Sequence, residues 1–160
     1  MKTAIEIRSA VRSDIPQVMA LIRELAEYEK APEEVTLTQE QLLEDGFGKN
    51  PVYELIVAEE DHRIIGIALF FIRYSTWKGR MLFLEDLVVN ESHRGQGIGH
   101  ALFKEILSIA HERQYAGVCW QVLDWNELAL QFYARYKADI STEWLNGKIM
   151  LAQLNEMKWD

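Results

Sequence analysis

Two groups of residues in the middle of the chain have the types and spacing to do chemistry. The first is a run of alternating glycines behind an arginine, Arg94-Gly95-Gln96-Gly97-Ile98-Gly99. Glycines let the backbone turn successive N–H groups toward one point with no side chain in the way. A helix starting there adds unpaired donors and a partial positive charge. Such a loop cradles a phosphate or pyrophosphate, and a basic Arg94 would strengthen it. The second group is a pair of adjacent carboxylates, Glu85 and Asp86, inside the apolar run Leu82 to Val89 just upstream. A carboxylate near an amine, directly or through one water, can take its proton.

The surrounding elements must present these groups. Leu82 to Val89 reads as a buried strand and Asn90 to His93 as a polar loop. Ile98, Leu102, Ile106, Ile109 and Ala110 then recur at helical spacing. The order is therefore strand, glycine loop, helix. Two common phosphate patterns do not fit it. A Walker loop needs Lys and then Ser or Thr after its last glycine, where His100 and Ala101 stand. A dinucleotide fingerprint opening at Gly95 needs glycine in place of His100, although Asp124 ends the next apolar run and could pose as its ribose-binding acid. The pattern that fits is R-x-x-G-x-G.

The whole chain bounds the remaining choices. Its 160 residues are most simply one domain, 1–160, large enough to bury a core without staples. A composition 49% apolar and 26% charged is that of a soluble globular protein. No apolar run approaches the ~20 residues that span a bilayer, and Met1 to Ile5 lack a signal-peptide core. The single cysteine, Cys119, excludes an internal disulfide and fits a reducing cytoplasm; inside an apolar run it reads as a packed thiol. The net charge of −8, with no Lys/Arg cluster, argues against a nucleic-acid partner and suits a small cationic substrate. His62, His93, His100 and His111 have no metal-ligand spacing, so no metal is expected.

Taken in order, Ile5 to Arg8 alternates as a short strand, Ser13 can cap a helix over 14–29, and Pro32 ends it. Thr38 with Gln41 makes a capping box for a second helix, stopped by Gly46 and Gly48. Tyr53 to Ala58 and Ile64 to Tyr74 read as strands joined by a turn at 59–62. Residues 75–80 turn into the central strand, Gly117 to Leu123 is another strand, and Asp124-Trp125-Asn126 opens a last helix with Tyr133 toward its inner side. Lys148 to Leu154 looks like a final strand. The pattern β-α-α-β-β-β-α-β-α-β predicts an α/β sandwich on a mixed sheet.

The loop Arg94 to Gly99 resembles the acetyl-CoA pyrophosphate loop of the GNAT N-acetyltransferases, and Asn126 with Phe132-Tyr133 resembles their second acetyl-CoA motif. The runs L-I-R-E-L-A-E-Y-E (21–29), L-E-D-G-F-G (43–48), Y-S-T-W-K-G-R (74–80), L-E-D (84–86), R-G-Q-G-I-G (94–99) and L-D-W-N (123–126) are similar to the spermidine/spermine and thialysine N-acetyltransferase subfamily. They span roughly residues 5–136; Y-S-T-W-K-G-R and V-L-D-W-N lie nearer the thialysine side. The resemblance implies the GNAT fold, a mostly antiparallel mixed sheet flanked by helices on both sides and splayed at the acetyl-CoA strand. It implies acetyl-CoA as cosubstrate, a small primary amine as acceptor and pairing as a homodimer.

Residue by residue, the resemblance assigns Glu85 as the base acting through water and Tyr133 as the acid that reprotonates the thiolate. A phenol of pKa ~10 can serve a thiol near ~8.5, slightly uphill. Backbone N–H groups at Leu87, Val88 and Val89 would polarise the thioester carbonyl. Arg94, Gly95, Gln96, Gly97, Ile98 and Gly99 would hold the pyrophosphate, and Asn126 the pantetheine arm. For the acceptor it points to Tyr28, Glu29, Trp77, Asp86, Glu143 and Trp144, carboxylates for a second ammonium and indoles for cation–π attraction. Each has an ordinary structural role as its alternative: sheet pairing for 87–89, a helix cap for Asn126, core packing for Tyr133. Three departures stand out. Ser75 replaces an aspartate of the polyamine enzymes, Lys137 replaces a usual glycine, and the insert before the third strand shrinks to a tight turn. The readings to separate are a diamino-acid or diamine acetyltransferase, a polyamine acetyltransferase, a non-catalytic acetyl-CoA sensor, a nucleotide-dependent oxidoreductase and a protein acetyltransferase.

Overall fold

A computed structural model describes residues 4–159, so Met1 to Thr3 lie outside the described residues. The chain forms two compact units that meet in sequence between Gln121 and Val122. The first carries a five-stranded sheet in the order β1-β2-β3-β4-β5: Glu6–Ser9, Glu54–Glu60, Arg63–Ser75, Gly79–Val89 and Gly117–Trp120. Neighbours are antiparallel except β4 and β5, which run parallel because helix α3 (Ile98–Glu112) returns the chain between them. Helices α1 (Ile15–Tyr28) and α2 (Gln39–Phe47) precede β2.

Burial on both faces explains the long apolar runs of the central strands. Leu55, Val57, Ile67, Leu69 and Val88 form one core with Ile15, Val18, Met19 and Leu21 of α1 and Leu42 of α2. Ile98, Leu102, Phe103, Ile106 and Ala110 are the buried stripe of α3, which packs on β3, β4 and β5. The Thr38–Gln41 capping box is present in both directions, at 3.2 and 2.9 Å. The β2–β3 turn closes through Asp61 and His62, both with positive φ (49° and 63°). Paired left-handed residues give a hairpin turn whose twist matches its strands.

Three expectations need correction. Ser13 does not cap α1. It lies inside a 3₁₀ turn over Arg12–Asp14, and Asp14 flanks the helix without a side-chain cap bond. The carboxylate of Asp14 is engaged instead with the Arg8 guanidinium (2.7 and 3.0 Å) and the Val11 N–H (2.8 Å). The expected strand Gly117 to Leu123 stops at Trp120, because its pairing with β4 ends at Leu84, one residue before a bulge. The predicted strand Lys148 to Leu154 is absent. In the second unit, helix α4 (Glu127–Ala134) is followed by irregular chain and then α5 (Leu151–Glu156). The second unit holds no strand among the described residues, and the Gln153 amide oxygen accepts the Met150 N–H at 2.9 Å to start the helix. Tyr133 is buried on α4 as its spacing predicted. Lys137 adopts φ of 55°, the left-handed conformation that suits the glycine it replaces and that costs another residue roughly 1–2 kcal/mol. Among the described residues no helix is long and apolar enough to cross a membrane.

Arg8 also donates to Glu59 (Nε, 2.8 Å), so one guanidinium ties β1, β2 and the start of α1. That guanidinium holds the Asp14 carboxyl below its usual range, against the opposing effect of burial. Asp14→Ala leaves Arg8 its Glu59 partner but removes the bonds that the carboxylate makes with Arg8 and the Val11 N–H, so it is expected to destabilise by about 1–2 kcal/mol. The check is a lower urea midpoint at unchanged slope. Because the folded-state pKa is depressed, the wild-type contribution is present above about pH 3.9 and is lost as pH falls through the folded-state value. The variant should lack that acid-side decline.

Candidate active site

β4 sets the geometry. Leu69 of β3 faces Asp86 and Phe70 faces Leu84, so Glu85 is an extra residue bulged out of the ladder, with an exposed side chain. Beyond the bulge, two-residue spacing puts Asp86 on the same face as Val88, which packs in the α1 core. Asp86 is half-buried there, and burial first, then the charges of Glu85 and Glu29, push its pKa up to about 7. Glu29, which ends α1, is also pushed up by burial. The three carboxylates thus gather at one end of the sheet.

The backbone beyond the bulge is arranged unevenly. The Asn90 N–H donates to the Ile65 carbonyl at 2.8 Å, continuing the β3–β4 register past Val89. Antiparallel bonding alternates, so Val88 and Asp86 turn their polar groups toward β3. Leu87 and Val89 turn theirs to the other side, where β5 pairs with β4 only as far as Trp120. Of the three residues expected to polarise a carbonyl, Val88 therefore has the ordinary sheet role, and Leu87 and Val89 face the splayed side.

The loop follows at once. Asn90 caps a short turn over Glu91–His93, its side-chain oxygen accepting the Ser92 N–H. Arg94 donates Nε to the Val89 carbonyl at 3.2 Å, lies 5.0 Å above the Tyr28 ring and comes within 3.9 Å of Glu24. Gly95 and Gly97 take φ of 75° and 83°, left-handed values that demand glycine, and a Cβ built on either meets nothing within 4 Å. The first N–H of this stretch that bonds back along the helix belongs to Ala101, to the Gly97 carbonyl. Ile98 and Gly99 therefore open the helix with their N–H groups directed out of its N-terminus. Open space beside left-handed glycines, with donors and Arg94 alongside, fits a pyrophosphate.

The remaining expected residues lie elsewhere. Trp77 is 83% exposed in the β3–β4 turn, where the Ser75 hydroxyl accepts the N–H groups of Trp77 and Lys78. That turn is at the opposite end of β4 from Asp86, roughly 20 Å away along the strand. Within the second unit, the Asn126 side chain caps α4 by accepting the Ala129 N–H (3.2 Å), and the Tyr133 ring stands edge-on to Phe132 at 5.2 Å. Glu143 and Trp144 are exposed in irregular chain. The Cys119 thiol is pushed up by burial, with Arg73 opposing, as suits a packed residue. Among the described residues no group of three or more His, Cys, Asp or Glu is placed to hold a metal. Glu24 and Asn90 were not singled out by sequence reasoning, yet they brace the loop. The available signal was that Glu24 lies one helical turn before Tyr28 on the same face.

Comparison with known proteins agrees with this geometry. A profile described as the acetyltransferase (GNAT) family matches residues 15–137. A thialysine N-epsilon-acetyltransferase of Bos taurus is 39% identical over 145 residues, covering 86% of this chain and 85% of that protein. The corresponding Mus musculus protein is 38% identical over 162 residues, covering 94% and 95%. Among solved structures, an integron cassette protein from the mobile metagenome of V. cholerae superposes with a TM-score of 0.76 at 23% identity, over 95% of this chain and 96% of that one, a likeness of fold. A splayed β4, a left-handed glycine loop and a match over most of the chain lead to one assignment: this protein belongs to the GNAT family and is an acyltransferase that carries out N-acetyl transfer.

Proposed function

We propose that this chain, acting as one N-acetyltransferase domain, acetylates a primary amine of a small molecule, with thialysine or a related diamino acid preferred and short diamines next. The observation that carries this reading is the gathering of Glu29, Asp86 and Glu85 beside the glycine loop, a cation-attracting cluster next to a pyrophosphate cradle. The names of the similar bovine and mouse proteins support the choice of acceptor. The reading includes a cytoplasmic homodimer, as the family resemblance implies.

Acetyl-CoA supplies the activated thioester carbonyl. Gly95 to Gly99 hold its pyrophosphate through backbone N–H groups, assisted by Arg94, and Asn126 bonds the pantetheine arm. The N–H groups of Leu87 and Val89 polarise the carbonyl where negative charge develops. The acceptor arrives as an ammonium, with an ordinary pKa of ~10.4. Asp86 and Glu29 hold its distal charge beside Tyr28. Glu85, exposed on its bulge, takes the proton from the reacting nitrogen through water. Tyr133 returns a proton to the departing sulfur.

Polyamine acetylation is the second reading, favoured by the number of clustered carboxylates. Against it, Ser75 uses its hydroxyl to cap a turn and offers no charge. A panel assay of thiol release from acetyl-CoA separates the two. It would compare thialysine, lysine, ornithine, putrescine, spermidine and spermine. We expect kcat/KM on thialysine well above that on spermidine, and a loss of at least about 100-fold in Tyr133→Phe. A polyamine preference would overturn the acceptor assignment. Tight acetyl-CoA binding without turnover on any amine would point to a sensor.

The carboxylate cluster also fixes a pH dependence. Asp86 has a raised pKa, so between about pH 4 and 7 the folded protein binds more protons than the unfolded chain. Stability of the ligand-free protein should therefore fall as pH rises through that window, and Asp86→Asn should flatten the decline. Capture of the ammonium runs the other way, because it needs the ionised form. KM for the amine should drop as pH rises from 6 to 8 in the wild type and change little in the variant, measured at saturating acetyl-CoA.

A further inference from the structure

The glycine loop cannot hold itself in place. Gly95 and Gly97 have no side chains to pack, and a chain in left-handed glycine conformations gives up more freedom on ordering than any other. Something outside the loop must fix the direction in which its N–H groups point. A brace of this kind lies on α1. The Glu24 carboxylate takes one donor on each oxygen: the Glu91 N–H on Oε1 at 2.7 Å and the Asn90 side-chain amide on Oε2 at 2.9 Å. Bonds to an ionised acceptor are the strong ones. Both donors lie more than 60 residues away in sequence, directly ahead of Arg94 and Gly95.

The other end of the brace is anchored. The buried face of α1, with Ile15, Val18, Met19 and Leu21, is part of the core that includes Val88 of β4. Glu24 therefore links the loop to the same packed layer that carries Asp86. Its neighbour one turn on, Tyr28, lies under the Arg94 guanidinium, and Glu24 Oε1 is 3.9 Å from Arg94 Nη2. On the far side of the loop, His93 Nε2 stands 3.4 Å from Glu60 at the end of β2, while its Nδ1 is 3.1 Å from the Asn90 side-chain oxygen. The Asn90 side-chain oxygen accepts the Ser92 N–H and hydroxyl while its nitrogen donates to Glu24, so its amide group has one orientation that serves both sides.

We infer that Glu24 is a positioning residue for the acetyl donor: by gripping Asn90 and Glu91 it pre-orients the glycine loop, and with it the cradle for the pyrophosphate. This rests on the acetyl-CoA reading of that loop. The ordering cost of the loop is met in the ligand-free protein, so affinity for the donor depends on a residue that never touches it. The grip acts on the donor side alone and leaves the amine side and the chemical step in place.

The experiment uses the full chain in three forms besides wild type: Glu24→Ala, Glu24→Gln, and Glu24→Gln combined with Asn90→Asp. The combined variant exchanges amide and carboxylate across the contact, restoring a donor–acceptor match and the original net charge. Calorimetry gives the Kd for CoA, and steady-state rates give KM for acetyl-CoA, KM for the amine and kcat. Glu24→Ala should weaken CoA binding about tenfold, the size expected for losing charge-assisted bonds, and raise KM for acetyl-CoA alike. Its kcat at saturation and its amine KM should stay within about twofold of wild type. The combined variant should recover most of what Glu24→Gln loses. A Kd for CoA unchanged in Glu24→Ala, or a loss shared equally by kcat and amine KM, would overturn the inference. Wild type that binds CoA but acetylates no amine would sink the proposed function while leaving the Kd comparison decisive here. Wild type that binds no CoA would remove both.

Discussion

Strand β4 has to satisfy two neighbours that make different demands, and the rest of the molecule follows from how it does so. β3 pairs with it along its whole length, while β5 pairs only from Met81 to Leu84. The extra residue at Glu85 marks the change. A bulge bends and twists its strand, so β4 parts from β5 just where the carboxylates and the run toward the glycine loop begin. Two consequences come from the same event. Asp86 is redirected toward α1, and the polar groups of Leu87 and Val89 emerge on the side that β5 has left. A regular ladder in this position would have used those groups for pairing and closed the sheet.

Helix α1 is the second half of the device. Its buried stripe fixes it to the sheet, and its last two turns carry Glu24, Tyr28 and Glu29 over the end of β4. Glu24 grips the loop, Tyr28 lies under Arg94, and Glu29 shares the field of Asp86. One rigid element thus sets the spacing between the glycine loop and the carboxylate cluster. Burial is the main reason that Asp86 is pushed up to about 7, and the charges of Glu85 and Glu29 add a cost of their own to its ionisation. In this reading the cost is relieved when an ammonium arrives, so the repulsion stored in the empty cluster becomes selectivity for a cation.

Much of this was legible because it is local. Left-handed glycines, the Thr38–Gln41 box, the turn at Asp61-His62 and the apolar stripes of α1 and α3 each depend on residues a few positions apart. The assignment of Glu85, Asp86 and the glycine loop to one neighbourhood followed from their closeness in sequence. What was not legible depends on distant partners. Ser13 has the chemistry of a cap, but Arg8 and Glu59 bring Asp14 into the same turn and settle the geometry there. The run Lys148 to Leu154 has the composition of a strand, and a strand exists only where another lies beside it. Glu24 reads as an ordinary polar residue on an amphipathic helix until a loop far along the chain is folded against it.

The turn at Ser75 shows how a local rule and a functional one can meet at one position. Aspartate and serine both cap such turns by accepting backbone N–H groups, so the fold is indifferent to the exchange. The charge is not. Ser75 sits at the end of β4 away from Asp86, seven residues along the strand from Gly79 to Asp86, roughly 20 Å at the usual rise. Within one chain, a carboxylate there would add to the field felt by a long, flexible polycation and add little for a compact acceptor. With serine in place, the proposed function leaves the distal charge of the acceptor to Asp86 and Glu29. The Glu29 charge helps to raise the Asp86 pKa, so the two carboxylates contribute to one local field. In the proposed function a compact diamino acid asks nothing of the Ser75 end, whereas an extended polyamine would lack a partner there for its outer charge.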